Sequence, residues 1–209
     1  MYTLYYSPGT ASMVVHLALL ETGAPYELRL VDFDKDAQHG DDYLRLNPRG
    51  VVPTLVIDGR PRHESAALLA MLAERHPEAK LIPPPGTPER EAWQQWVGYL
   101  SNTLMSTYRL WFYPAELGAA GHTPEVRAAL QKKIEGVWDL LDAQLAKDGP
   151  YLLGAAFSGA DLLLTMLMRW SRNMPRPATG WPALKHLADR VRARPSWRKL
   201  YELEGLTEW

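Results

Sequence analysis

The spacing of apolar positions changes once along this chain. Up to about residue 76, short strand-like runs alternate with short helical ones; beyond about residue 89 only three- and four-residue spacing remains. Tyr2–Tyr6 is an aromatic and apolar run stopped by Ser7-Pro8-Gly9, which reads as a strand. Val14, Val15, Leu17, Ala18 and Leu20 then fall on one helical period that ends at Gly23. Residues 26–31 read as a second strand and 41–46 as a weak helical turn. Residues 51–57 are β-branched and apolar, Asp58-Gly59 is a turn dipeptide, and 60–63 can pair back as a hairpin before Glu64 opens a helix over 65–76. Strand, helix, strand order predicts parallel pairing of the first two strands, and the hairpin adds an antiparallel pair. The expected result is an α/β layer on a mixed sheet.

Pro77, Pro83, Pro84, Pro85, Gly86 and Pro88 interrupt any helix and read as a linker. The expected division is an α/β domain over 1–78, a linker over 79–88 and an all-helical domain over 89–209. Trp93, Trp96, Val97, Leu100, Leu104, Tyr108, Trp111 and Phe112 define a long helix with a bend near its middle. Leu130, Ile134, Val137, Trp138, Leu141 and Leu145 define a second, ended by Gly149-Pro150. Phe157-Ser158-Gly159-Ala160-Asp161-Leu162 carries a capping box and a hydrophobic staple, and the apolar body after it predicts the buried centre of the bundle. Helices over 183–193 and 197–203 close the chain.

Composition narrows the chemistry. With 209 residues, 46% hydrophobic and 22% charged, the chain reads as a soluble globular protein, and a net charge of −1 gives no reason to expect nucleic acid or an anionic membrane as partner. No apolar run reaches the length of a membrane span and the first residues lack the basic start of a signal peptide, so the expected location is cytoplasmic. The chain has no cysteine, so any thiol chemistry uses a ligand's sulfur. The histidines show no metal spacing, and no metal is expected.

Two stretches carry the candidate chemistry. In Asn47-Pro48-Arg49-Gly50-Val51-Val52-Pro53-Thr54-Leu55 a proline sits where a strand would begin; a cis bond there would turn the chain and leave the N–H and C=O of Val52 able to pair with an extended peptide. Glu64-Ser65 places a carboxylate, a hydroxyl and helix N–H groups at one helix start, which favours a ligand carboxylate.

This arrangement resembles the glutathione-binding half of the glutathione S-transferase family, on Asn47-Pro48-x-Gly50-x-Val52-Pro53-x-Leu55 followed by Glu64-Ser65. The resemblance implies a thioredoxin-like first domain, an all-helical second domain and a homodimer, for which Trp93 and Trp96 are candidate contacts. It implies that Val52, beside Pro53, pairs with the cysteinyl part of glutathione, that Glu64 and Ser65 hold the γ-glutamyl end, and that Lys35 lies near the glycyl carboxylate. Tyr6-Ser7-Pro8-Gly9-Thr10-Ala11-Ser12 most resembles the bacterial beta class, but Ala11 stands where that class has its cysteine and Met105 where it has a histidine. Stabilising the glutathione thiolate then falls to a hydroxyl, with Ser12 first, Thr10 second and Tyr6 third. The implied pocket for a hydrophobic electrophile includes Tyr6, Met105 and Tyr108, with Trp111 and Phe112 expected in the bundle core. The implied activity is conjugation of glutathione in detoxification, with peroxide or disulfide reduction as further reactions of the same site. A non-catalytic ligand-binding relative or interaction module is the alternative.

Overall fold

β1 (Tyr2–Tyr6) runs through the interior of a four-stranded sheet of order β2-β1-β3-β4 in the computed structural model, which describes residues 1–207 and 209. It pairs parallel with β2 (Tyr26–Leu30) and antiparallel with β3 (Thr54–Ile57), so Leu4, fully buried, lies between Leu28 and Leu55. A parallel neighbour needs a crossover, and α1 (Met13–Thr22) supplies it, ending at Gly23 in the left-handed conformation. The parallel β1–β2 pair and the antiparallel hairpin are those expected from the sequence, and the β1–β3 pairing joins them into one sheet. Pro61 lies in the edge strand β4 (Arg60–Arg62), where its missing donor removes no ladder bond on the outer side.

Strand β3 starts three residues later than the apolar run suggests. Tyr43, in α2 (Asp41–Leu44), donates its hydroxyl hydrogen to Val51 O (2.7 Å), and the Asn47 amide also donates to Val51 O (2.6 Å), so these side chains hold the loop before pairing begins. α3 (Ser65–Arg75) packs against α1.

The first compact unit comprises Met1–Ile82 together with Arg192–Trp209, and the second comprises Pro83–Val191. The chain end therefore groups with the α/β layer, whereas the expected division keeps it with the helices. Polar ties account for this: Arg194 makes a two-pronged contact with Glu21 (2.7 Å each), and Glu204 of α9 (Pro195–Glu204) accepts from Gly9 N–H (2.9 Å).

In the second unit, α4 (Pro88–Tyr99) leads through a π-helical turn (Leu100–Met105) into α5 (Ser106–Phe112), in place of a plain bend. At this turn Ser101 donates its hydroxyl hydrogen back to Val97 O (2.8 Å), the kind of side-chain bond that disturbs a helical ladder. Trp93, Val97, Leu100, Leu104, Tyr108 and Trp111 form its buried stripe. Trp93 is thus interior, which leaves Trp96 as the half-buried member of the pair expected at a two-fold contact. α6 (Pro124–Asp148) is capped by the Thr123 hydroxyl, and α7 (Gly159–Trp170) is buried from residue 159 to 169. The capping box forms as the sequence indicates, with Ser158 N–H donating to Asp161 (2.8 Å). α8 (Pro182–Arg192) completes the helices.

Candidate functional site

The loop before β3 is built from inside outward. Asn47 is buried; its amide donates to Val51 O while its carbonyl oxygen accepts from Arg49 N–H (3.2 Å). The Val52–Pro53 peptide is cis. Val52 packs with Val31 and Tyr43, and Phe33 and Ala37 close the cluster. Among the described residues neither the N–H nor the C=O of Val52 has a hydrogen-bond partner, so both are open to an added strand.

Gly50 is required at the tip of this loop. Its φ is +61°, and a Cβ would stand 2.8 Å from His39 Cδ2 and 3.2 Å from Gln38 O. Gly50→Ala is expected to destabilise the protein by about 1–2 kcal/mol, combining left-handed backbone strain with displacement of the His39 ring and a tight contact with Gln38 O. Denaturant titration checks this; an unchanged midpoint would mean that the loop gives way freely.

Glu64 precedes α3 with φ 69° and ψ 108°, a strained backbone for a residue with a side chain, and strain of this kind collects at functional sites. Its carboxylate meets the guanidinium of Arg49. Ser65 is buried and donates its hydroxyl hydrogen to Ala11 O (2.9 Å), which ties the start of α3 to the loop ahead of α1. His63 disfavours its charged form through burial and the nearby Arg49 cation.

That second loop holds the candidate hydroxyls. The Ser7 carbonyl faces Thr10 Oγ1 at 2.7 Å and Ser12 Oγ at 3.0 Å, and the two hydroxyl oxygens are 2.9 Å apart. Two protons serve three contacts. If Thr10 turned its hydrogen outward, Ser12 could still donate to Ser7 O. Ser12 has no exposed surface and makes no side-chain cap to α1, whereas Thr10 is partly exposed. The residue placed first from sequence is therefore interior, holding its neighbour, and the second is the one that reaches solvent.

Beneath the loop lies a polar chain that sequence reasoning missed. Glu204 accepts from Gly9 N–H through one oxygen and contacts His16 Nδ1 (2.8 Å) through the other, while His16 Nε2 meets the Tyr26 hydroxyl (3.0 Å). The His16 and Glu204 side chains are fully buried. Burial and the charge of Glu204 raise the pKa of both Tyr6 and Tyr26, so each phenol keeps its proton near neutral pH. A glutamate 195 residues from its partner gives no local signal; only the buried contact reveals it.

Lys35 is exposed and paired with Asp32 (2.8 Å), whose carboxylate raises its pKa. It lies in a short helical turn whose Phe33 packs on the Val52 cluster. In the helical unit Met105 is half-buried at the end of the π turn. Tyr108, expected to line a pocket, is fully buried, stacked on Phe112 (5.7 Å between centroids) and edge-on to Trp170 (5.7 Å). Among the described residues its hydroxyl has no hydrogen-bond partner; nearby Ser171 is engaged by Met168 O and Ala178 N. Phe112, expected inside, is 47% exposed, while Trp111 is interior as expected.

A parallel–antiparallel sheet with a cis-proline loop, a strained helix start beside a hydroxyl loop, and an all-helical unit after it define a two-unit, thioredoxin-like protein. The family description "Glutathione S-transferase, N-terminal domain" matches residues 10–75, and "Glutathione S-transferase, C-terminal domain" matches residues 124–202. Glutathione S-transferase GstA of Escherichia coli O157:H7 is 31% identical over 205 residues, 97% of this chain and 98% of that one. A beta-class glutathione S-transferase of Sphingomonas chungbukensis superposes with a TM-score of 0.86 at 30% identity, over 98% of this chain and all of the other. A glutathione transferase homologue from sulfitobacter with bound glutathione gives 0.87 at 27% identity, over 99% of each chain. The chain belongs to the glutathione S-transferase family.

Proposed function

We propose that this protein is a glutathione transferase in which the Thr10 hydroxyl, held by Ser12, stabilises the thiolate of bound glutathione. The observation that carries the reading is the Ser65 hydroxyl on Ala11 O, which makes the amino-acid clamp and the hydroxyl loop one hydrogen-bonded unit. Glutathione lies extended along Val52, pairing its cysteinyl backbone with the Val52 N–H and C=O. Its γ-glutamyl carboxylate sits at the first turn of α3, where helix N–H groups lack helical acceptors. Lys35 draws the glycyl carboxylate. Thr10 turns its hydrogen from Ser7 O to the sulfur, and Ser12 keeps the carbonyl satisfied.

The thiolate then attacks the electrophile, forming a C–S bond as the leaving group departs with its electron pair or a ring opens and takes a proton. Tyr6, protonated and partly exposed, borders the loop from β1. Within the second unit, Met105 is half-buried and Phe112 exposes an apolar face that Tyr108 backs from inside. With Ala11 in place of a thiol, the enzyme forms no mixed disulfide with glutathione, which favours conjugation over exchange through an enzyme sulfur. A homodimer working in the cytoplasm in detoxification accompanies this reading through the family resemblance.

Calorimetric titration tests the clamp. Ser65→Ala should weaken glutathione binding by about 1–3 kcal/mol, since it loosens a group facing a charged ligand end. Equal affinities in the variant and the parent, with equal thermal unfolding, would remove Ser65 from the site.

A further inference from the structure

Arg49 has no role in the binding scheme above, yet its position is closely determined. Its backbone N–H is bound by the buried Asn47, and its guanidinium reaches across 15 residues to the Glu64 carboxylate. Both side chains are 63% exposed. An ion pair so open to solvent contributes little to stability, so it does not explain why a strained backbone is kept at Glu64. The pair does put a positive fork and a negative carboxylate side by side at the residue that opens α3, next to the Ser65 amide. His63, held toward its neutral form, adds no competing cation at neutral pH.

We infer that Arg49 is a specificity-determining residue: the Arg49–Glu64 pair is a dipolar receptor for the α-amino-acid head of the γ-glutamyl group, the guanidinium taking the α-carboxylate and Glu64 the α-ammonium. This rests on the glutathione reading. A γ-linkage leaves both charges on one carbon, a few ångströms apart, and a pre-paired cation and anion match them with opposite signs. Two charge-assisted contacts replace the one that the protein makes with itself. An α-linked peptide lacks the free carboxylate at that carbon, and an N-acylated one lacks the ammonium; each would leave one member of the pair without its ligand partner.

The test uses three ligands: glutathione, glutaryl-cysteinylglycine, which lacks the ammonium, and 4-aminobutyryl-cysteinylglycine, which lacks the carboxylate. Arg49→Met should raise Kd roughly tenfold for the two ligands that carry the carboxylate and leave the third unchanged. Glu64→Gln should raise Kd for the two that carry the ammonium and leave glutaryl-cysteinylglycine unchanged. Arg49→Lys, which keeps the charge without the fork, should recover part of the loss. Thermal unfolding of each variant serves as the folding control. Equal losses on all three ligands, or no loss on any, would overturn the role of Arg49 while leaving glutathione as the ligand. Failure of the parent protein to bind glutathione would overturn the reading on which the inference rests.

Discussion

Asp161→Ala is expected to lower folding stability by about 2–4 kcal/mol, well beyond the usual effect of a lost helix cap. The Asp161 side chain has no exposed surface, and its two oxygens accept from Leu152 N–H (2.9 Å), Ser158 N–H (2.8 Å) and the Ser158 hydroxyl (3.1 Å). Alanine would leave two backbone donors without acceptors where both residues are 2% exposed. The charged carboxylate pays for its burial in part, since desolvation raises its pKa to about 6 against an ordinary 3.8. A folded-state pKa above the unfolded one means that the native protein holds a proton that the unfolded chain has released. The contribution is therefore full below about pH 4 and declines as pH rises through about 6. Denaturant midpoints of parent and variant should differ most in acid. A difference that is flat across this range would mean that the carboxylate's hydrogen bonds cancel its desolvation.

Thr10→Val is expected to reduce kcat at neutral pH by about tenfold or more, with little change in glutathione affinity. Valine keeps the shape of threonine but replaces the hydroxyl that, in the proposed scheme, turns from Ser7 O to the sulfur. Loss of about 1.4 kcal/mol of thiolate stabilisation raises the bound thiol pKa by about one unit, so part of the rate returns at alkaline pH. Ser12→Ala should give a weaker form of the same shift, because Thr10 then becomes the only side chain satisfying Ser7 O and turns outward less readily. Tyr6→Phe should leave the profile in place. If Tyr6→Phe alone reproduced the alkaline shift, the donor would be the phenol.

The parts of this fold that could be read from sequence are those governed by local covalent facts. A proline without a donor marked the loop before β3, and a serine three residues ahead of an aspartate marked the start of α7. The burial of Ser12 and the partial exposure of Thr10 were not legible, because they depend on how the loop folds around the Ser7 carbonyl. The family resemblance placed Tyr108 in the pocket for the electrophile, because that part of the long helix forms it in related proteins. Instead it continues the buried stripe from Leu104 and its hydroxyl goes without a partner among the described residues, while Phe112, on the last turn of α5, remains exposed. The ties of Arg194 and Glu204 to the first unit join residues more than 170 positions apart, and no window along the chain contains them.

The most direct test of the account is the pKa of the glutathione thiol when bound, followed through the ultraviolet absorbance of the thiolate as pH is raised. The account predicts a value at least about one unit below the roughly 8.5 of a free thiol in the parent protein, returning toward that value in Thr10→Val. Bound glutathione that titrates like the free thiol, or a lowered value that Thr10→Val leaves unchanged, would contradict it.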